Sequence, residues 1–442
     1  MALFLNILFV LFFAFTAPFW ILQLLRSKKY RAGWPQRLGW VPKREGKQPC
    51  IWIHGVSVGE ILTARAFVRR LEERHPGWDV VLSTTTLEAH RVVERAYPGK
   101  MLFFFPMELS FVIRRTLRRI RPTAVVLIEQ ELWPNFLHHC DRAGIPAILV
   151  NGRISRRSYR LYSIVRWPLF RPFRKVRSYC VQTQEVADRF AALGIPRAQI
   201  DVTGNMKYDN IATGEGGAKA GLAARRQLSI SSAEWVLIGG STHAGEEHAL
   251  LDTFEKIRAR RVRSRLVLVP RHTERIHQVE ALLRERQTPY VLKTDLDRGA
   301  DGKGKVILVD TMGELLHIYP AADVVFIGGS LVPVGGHNML EPAGLGLAVV
   351  IGPHVFKCKE EVDLLVKEGA GLMARDAEDL TAILLDMLDH PDKARAMGEK
   401  AARTLMAHQG ATDRNLAHLD EALGITSGGP GSPSRTVSVA AG

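Results

Sequence analysis

Cysteine is scarce in this chain: Cys50, Cys140, Cys180 and Cys358 are the only four in 442 residues, and no two stand in CxxC spacing. That scatter points to neither a zinc site nor a disulfide framework, and a reducing compartment is the simpler expectation. No RNA-binding or helix-turn-helix signature is present, which makes nucleic acid the weaker partner for a basic chain. Charge is missing altogether from Ala2 to Leu25, a run dominated by Leu, Phe, Ile and Val. At about 1.5 Å per helical residue, that run is enough to cross a hydrocarbon core of roughly 30 Å. A cleaved signal peptide is the competing reading, favoured by Ala14-Phe-Thr-Ala17 but opposed by the lack of a basic leader and by Pro18 directly after the candidate site. The expectation is one N-terminal transmembrane helix, an anchor over residues 1–27. Arg26, Lys28, Lys29, Arg31 and Arg37 follow it, with Trp20, Tyr30 and Trp34 as interfacial aromatics, so the positive-inside rule places the rest of the chain in the cytoplasm.

What remains is globular in composition, 46% hydrophobic and 24% charged, and long enough for two or three domains. Sixty Lys and Arg stand against 45 Asp and Glu, a balance that calls for an acidic partner: nucleic acid, an anionic membrane or a phosphorylated substrate. Short apolar runs alternate with helical stretches, which describes parallel sheets covered on both faces. Ile51-Trp-Ile53 leads into His54-Gly-Val-Ser-Val-Gly-Glu60, Ala124 to Ile128 leads into Glu129-Gln-Glu-Leu-Trp-Pro134, and Ala147 to Val150 leads into Asn151-Gly-Arg153. Polar residues therefore collect at the carboxyl ends of strands, where open α/β sheets bind ligands. Residues 28–210 form the first expected domain, the Gly-rich 211–226 a linker, 227–427 a second α/β domain facing the first across a cleft, and 428–442 a disordered tail.

In the first domain, Glu60 stands where a loop enters a helix. Such a residue serves either as a first-turn carboxylate that favours the helix dipole or as a base that takes a proton from an attacking hydroxyl. Glu131, on a turn constrained by Trp133 and Pro134, and Glu129 are equal candidates within the next loop. Lys207 ends the half on a strand-end loop, where it is either idle or meets a phosphate or developing negative charge. A basic and aromatic belt, Arg114 to Arg121 and Arg153 to Arg177, fits a face lying against anionic headgroups. In the second half, Asp323 to Ile327 runs into the glycines of Gly328 to Gly336 and then into a helix start at Asn338 to Pro342. Loop glycines let backbone approach a ligand, a helix N-terminus offers N–H groups to phosphate, and Glu341 offers hydrogen bonds to ribose hydroxyls. A tight turn with Glu341 merely favouring the dipole is the alternative.

Several segments together resemble one family. HGVSVGE at 54–60, EQELWPN at 129–135, NGRISRRSY at 151–159, GNMKYD at 204–209, GGSTHAGEE at 239–247, LVPRH at 268–272, DTMGEL at 310–315 and GGSLVPVGGHNMLEP at 328–342 are similar, in order and along nearly the whole chain, to the 3-deoxy-D-manno-octulosonic acid (Kdo) transferases of lipopolysaccharide assembly. The resemblance implies a GT-B fold of two Rossmann-like domains. It also implies inverting, metal-independent transfer of Kdo from CMP-Kdo to a lipid A precursor (lipid IVA) at the inner membrane, with no cofactor. By that resemblance Glu60 is the general base, and Glu131 and Lys207 stabilise the transition state. Pro270, Arg271, Met312, Gly313, Glu314, Asn338, Met339, Leu340 and Glu341 contact CMP. The chain departs from the common pattern at Gly55, Gln130 and Met339, where Ala, Thr and Pro are expected, and loses no chemical group the mechanism needs. Another GT-B transferase using a UDP-sugar, or a catalytically silent membrane-bound binding protein, are the alternatives.

Overall fold

A computed structural model describes residues 6, 7, 9–11, 15–17, 32–164, 171–212 and 217–425. Most of the expected anchor and all of the expected tail lie outside these residues. Among the described residues no helix is long and apolar enough to cross a membrane. Asn6, within the apolar run, accepts hydrogen bonds at its Oδ1 from the Ser110 amide at 2.9 Å and from Asn135 Nδ2 at 3.0 Å.

Two compact units result, one formed by Met1–Asn210 with Gln409–Gly442, the other by Ile211–His408. In the first, seven strands, β1 (Cys50–His54), β2 (Asp79–Thr84), β3 (Met101–Phe104), β4 (Ala124–Ile128), β5 (Ala147–Gly152), β6 (Ser178–Val181) and β7 (Ile200–Val202), form one sheet in the order β3-β2-β1-β4-β5-β6-β7. Every pairing is parallel. A strand covered on both faces has no polar side to show, which is why β1 and β4 are buried at every position. Alternate residues feed opposite layers: Cys50 and Trp52 enter one core with Phe103 and Phe136, while Ile51 and Ile53 enter the other with Phe67 and Leu82. Capping sets where helices begin: the hydroxyls of Ser57, Thr86 and Thr183 accept from the amides of Glu60, Ala89 and Val186.

The second unit repeats the plan with β8 (Trp235–Thr242), β9 (Ser264–Pro270), β10 (Tyr290–Leu292), β11 (Val306–Leu308), β12 (Val324–Ile327), β13 (Ala348–Ile351) and β14 (Leu372–Met373), ordered β10-β11-β9-β8-β12-β13-β14 and parallel throughout. Strand order reverses between β1 and β4 in one sheet and between β8 and β12 in the other. Loops leaving the carboxyl ends of such a pair diverge and open a crevice for ligand.

Two sequence-based boundaries need correction. The expected linker 211–226 is largely the helix Gly217–Gln227. Its small residues serve close packing: a Cβ on Gly221 would lie 2.9 Å from the Pro320 carbonyl oxygen, and Arg225 pairs with Asp323 at 2.8 Å. The second unit also ends at His408 rather than 427, because the helix Ala411–Ala422 belongs to the first. Its buried Leu416 and Leu419 join the core of Ile51 and Phe67. Asp209, itself buried, accepts from the amides of Gly410 and Thr412 at 2.6 Å each, and Asp420 meets Arg74 and His75 at 3.1 and 2.7 Å. Replacing Asp209 by Ala strands two amides at the start of this helix. The expected loss is about 2–4 kcal/mol in a urea denaturation of the full chain, with Asp209→Asn retaining part of it.

Candidate active site

The loops after β1 and β4 enclose a cavity of about 550 Å³ lined by Glu60, Glu129, Gln130, Glu131, Leu132, Trp133, Arg153 and Tyr162. Glu60 occupies the third position of a helix, Val58–Thr63, in the Ser-x-x-Glu arrangement of a capping box. Ser57 Oγ donates to its Oε1 at 2.8 Å, and the Val56 amide donates to its Oε2 at 2.7 Å. The side chain thus closes the helix start and also lines the cavity. Burial raises the Glu60 pKa and the neighbouring Glu131 charge adds to this, against the two hydrogen bonds and His54. Burial pushes Glu129 further, to about 7, against the opposing charges of Arg153 and Lys207. Its Oε2 stands 3.8 Å from Arg153.

Residues beneath the cavity hold these carboxylates. Ser83 Oγ, on β2, lies 2.7 Å from Trp52 Nε1 and 3.0 Å from His54 Nδ1, fixing two side chains of β1. The His54 ring stacks on Phe105 at 3.8 Å, and its Nε2, which has no hydrogen-bond partner, lies 3.7 Å from Glu131 Oε2. Trp133 Nε1 donates to the same carboxylate oxygen at 2.9 Å. Glu129 and Asn151, at the ends of adjacent strands, both take left-handed backbone with φ of 59° and 52°. Asn151 Oδ1 accepts from the Met206 amide at 3.0 Å, which sets the turn Met206–Asn210 carrying Lys207. Lys207 is not among the cavity-lining residues, but its charge acts on Glu129.

In the second unit, the residues expected to hold CMP sit after the carboxyl ends of β9, β11 and β12. Pro270 ends β9 and the Arg271 amide donates to the Thr242 carbonyl at 3.0 Å. Met312 is 71% exposed, Gly313 has φ 82°, and Glu314 lies 3.5 Å from the buried Lys293 ammonium. Asn338 Nδ2 donates to Glu341 at 2.9 Å, while Met339 and Leu340 are buried and have only backbone to offer a ligand. Met339 stands at φ −94°, outside the range of about −65 ± 15° that a proline fixes.

The glycine loop itself differs from expectation. The helix that follows it, Leu340–Gly344, is five residues long, too short for a developed dipole. The loop amides also point inward. Glu246, fully buried, accepts from the amides of His243, Gly329, Ser330 and Leu331 at 2.7–2.9 Å. The amide of Gly328 goes to the Gly240 carbonyl, and those of Gly335 and Gly336 go to the Gly329 carbonyl. Loop glycines serve approach between chain segments: a Cβ on Gly328 would lie 2.2 Å from the Ser241 carbonyl oxygen.

Sequence reasoning gave no role to His54, Asn151, Glu246, His243 or His337. For His54 and Asn151 the available signal was a polar residue at the carboxyl end of an otherwise apolar strand, a signal that Glu246, His243 and His337 lack. The basic belt divides. Arg119, Arg121 and Arg174 bind backbone carbonyls and Arg115 lies over Trp40, so these serve the fold. Arg114, Arg157 and Arg160 are exposed, as are Phe111, Leu161 and Ile164. Trp167 and Phe170 lie outside the described residues. Among the described residues no group of three or more His, Cys, Asp or Glu is placed to hold a metal ion, and all four cysteines are buried and outside any disulfide.

Comparison with known proteins follows the same division. Residues 32–210 match the profile of the 3-deoxy-D-manno-octulosonic-acid transferase (kdotransferase) family. The 3-deoxy-D-manno-octulosonic acid transferase of Haemophilus influenzae is 30% identical over 89% of this chain and 92% of its own, and that of Bordetella pertussis 31% over 85% and 87%. Among solved structures, MurG of Acinetobacter baumannii matches with a TM-score of 0.53 at 14% identity, over 85% of this chain and all but 1% of its own length. UDP-GlcNAc 2-epimerase of Neisseria meningitidis matches with a TM-score of 0.54 at 13% identity, over 85% of this chain and 100% of its own. At those identities they establish the fold, two parallel-sheet α/β units of the GT-B type. Identity near 30% over most of both chains makes this chain a member of the 3-deoxy-D-manno-octulosonic acid transferase family, a glycosyltransferase of lipopolysaccharide biosynthesis.

Proposed function

We propose that the protein transfers Kdo from CMP-Kdo to a glucosamine hydroxyl of a lipid A precursor, lipid IVA, with inversion and without a catalytic metal. The observation that carries the reading is the set of three carboxylates, Glu60, Glu129 and Glu131, around one cavity of about 550 Å³ at the strand-order reversal of the first unit. A carboxylate whose pKa is raised toward the working pH is a competent base, and Glu60 is both raised and turned to the cavity. In this mechanism Glu60 removes the acceptor hydroxyl proton as the oxygen attacks the anomeric carbon, and CMP leaves with its phosphate charge met by Arg271. Glu131, steadied by His54 and Trp133, and Lys207 face the cationic character and the charge that develop in the transition state. Glu341, held by Asn338, accepts from ribose hydroxyls. Mass spectrometry of the product made from CMP-Kdo and defined lipid IVA tests the whole reading; the absence of any Kdo adduct with CMP-Kdo, alongside turnover with a UDP-sugar, overturns it.

The run Ala2–Leu25 and the cations after it support a single-pass anchor in the inner membrane with the catalytic units on the cytoplasmic side. The exposed Arg114, Arg157 and Arg160, near the apolar Phe111, Leu161 and Ile164 of their own helices, support contact with an anionic membrane surface. Removing residues 1–27 should weaken membrane association on flotation, without abolishing it because the basic belt remains, while leaving some turnover of detergent-dispersed acceptor. A mature protein beginning near Pro18 contradicts the anchor.

Glu60→Gln retains the capping-box geometry, so the melting temperature should hold while kcat falls by roughly 10²–10⁴-fold. A base must be ionised, so kcat/KM should decline as pH falls through the Glu60 range, which burial places above that of an ordinary carboxylate. Because the Glu131 charge adds to the rise at Glu60, Glu131→Gln should shift that acid limb to lower pH. A lowered melting temperature with near-normal turnover in Glu60→Gln returns Glu60 to a purely structural role.

For the nucleotide, Arg271→Ala and Glu341→Ala should each weaken CMP binding by about 1.5–3 kcal/mol in calorimetric titration. Added salt should erode the Arg271 contribution more than that of Glu341, since only the former acts through phosphate charge.

A further inference from the structure

We infer that His243 and His337, with Arg271 beside them, form a side-chain subsite for an oxyanion of the donor. This inference rests on the donor reading above and deepens it.

The three residues stand where the second sheet reverses its strand order. His243 follows β8, Arg271 follows β9, and His337 lies on the loop leaving β12, the neighbour of β8. The imidazole Nε2 atoms are 2.8 Å apart, and the rings stack at 5.1 Å with 8° between planes. Such a bond requires one Nε2 to carry hydrogen and the other to accept it. The accepting neutral ring then carries its hydrogen on Nδ1, a donor that the pair does not use. His272 meets His243 edge-on at 5.7 Å.

Two features show that the pair is held in place. Glu246 accepts from the His243 amide and, with the same carboxylate, from the amides of Gly329, Ser330 and Leu331, so one group sets both loops that carry the rings. Gly329, at φ 68°, lets the loop backbone pass against the rings: a Cβ there would lie 2.9 Å from His337 Cδ2.

The charge around the pair is positive. Burial is the main cause that lowers His337, to about 4, and the charges of His243, Arg271, Lys357 and His272 act in the same direction. His243 is lowered by burial, His272, Arg275 and Arg271, with Glu247 opposing. Glu247 is largely engaged by Arg275, at 2.9 and 3.2 Å. The fixed cations among these neighbours, Arg271, Lys357 and Arg275, favour an anion at the rings. The glycine-rich part of the loop offers such an anion little backbone, because Gly328 to Leu331, Gly335 and Gly336 give their amides to protein acceptors. The imidazoles and Arg271 are the side chains placed to meet an oxyanion arriving at this reversal point.

CMP-Kdo carries two such groups, the phosphodiester and the sugar carboxylate. The test compares His243→Leu, His337→Leu and His337→Gln in the full-length protein, with KM for CMP-Kdo from steady-state kinetics and Kd for CMP from calorimetry. Either Leu variant should raise the donor KM by at least about tenfold with a smaller change in kcat, and Gln, which keeps an N–H, should recover part of it. A parallel loss of CMP affinity assigns the subsite to the phosphate; unchanged CMP affinity assigns it to the carboxylate. A donor KM within about twofold of wild type in both folded Leu variants overturns the subsite. Titration of the wild-type protein with inorganic phosphate, followed by histidine side-chain NMR, decides the matter independently of folding of the variants and of turnover. The His243 and His337 resonances should move together, and their constancy overturns the inference. Wild-type protein that turns over no CMP-Kdo but shows those shifts refutes the functional reading and leaves the subsite standing.

Discussion

The carboxylate of Glu246 is the interaction on which the second unit depends. Buried polar groups need partners, and this one finds four backbone N–H groups from two loops at the sheet's reversal point. Burial alone disfavours its charge, and the amide dipoles that converge on it oppose that penalty. The consequence is chemical as well as structural. A glycine-rich loop in this position ordinarily turns its amides outward to phosphate, whereas here an internal anion already occupies those of Gly329, Ser330 and Leu331. In the subsite inferred above, recognition of an incoming anion would pass to Arg271 and the imidazoles, whose hydrogen bonds and charge depend on side-chain identity rather than on backbone.

The first unit solves a different electrostatic problem. Three carboxylates converge on one cavity, and burial with mutual repulsion raises two of them, Glu60 and Glu129. Arg153 and Lys207 oppose that rise without removing it. Two strand ends at the site, Glu129 and Asn151, also hold left-handed backbone that costs on the order of 1 kcal/mol or more per residue. That strain is retained where the sheet delivers its polar groups, and the Trp52, Phe103, Phe105 and Phe136 cluster beneath supplies the rigid packing that can bear it.

Much of this was legible in the sequence. Runs such as Ile51-Trp-Ile53 and Ala124 to Ile128 are apolar at every position, a pattern that only a strand covered on both faces requires, and all lie in parallel sheets. Glu60 was legible as either a cap or a base, and the structure gives it a capping contact and a place at the cavity. Glu246 was not legible, because an acidic residue in a first helical turn ordinarily favours the dipole in solvent, and its burial depends on a loop 83 residues later. The His243 and His337 pair was hidden in the same way, by a separation of 94 residues. The segment 217–227 misled because Gly and Ala suit a tightly packed helix as well as a flexible linker, and local composition does not distinguish them.

The helix Ala411–Ala422 has a bearing on how the molecule is made. It fills the core beside Ile51 and Phe67 and is tied to Asp209, so the first unit draws on residues from both sides of the second. As the polypeptide leaves the ribosome, its earlier portion waits with an open apolar face until some two hundred further residues have been translated. The intervening unit is continuous and meets no such delay. Biogenesis thus runs against the usual order in which domains nearer the amino terminus finish first, and the nascent first unit is the stage at which a chaperone has surface to hold.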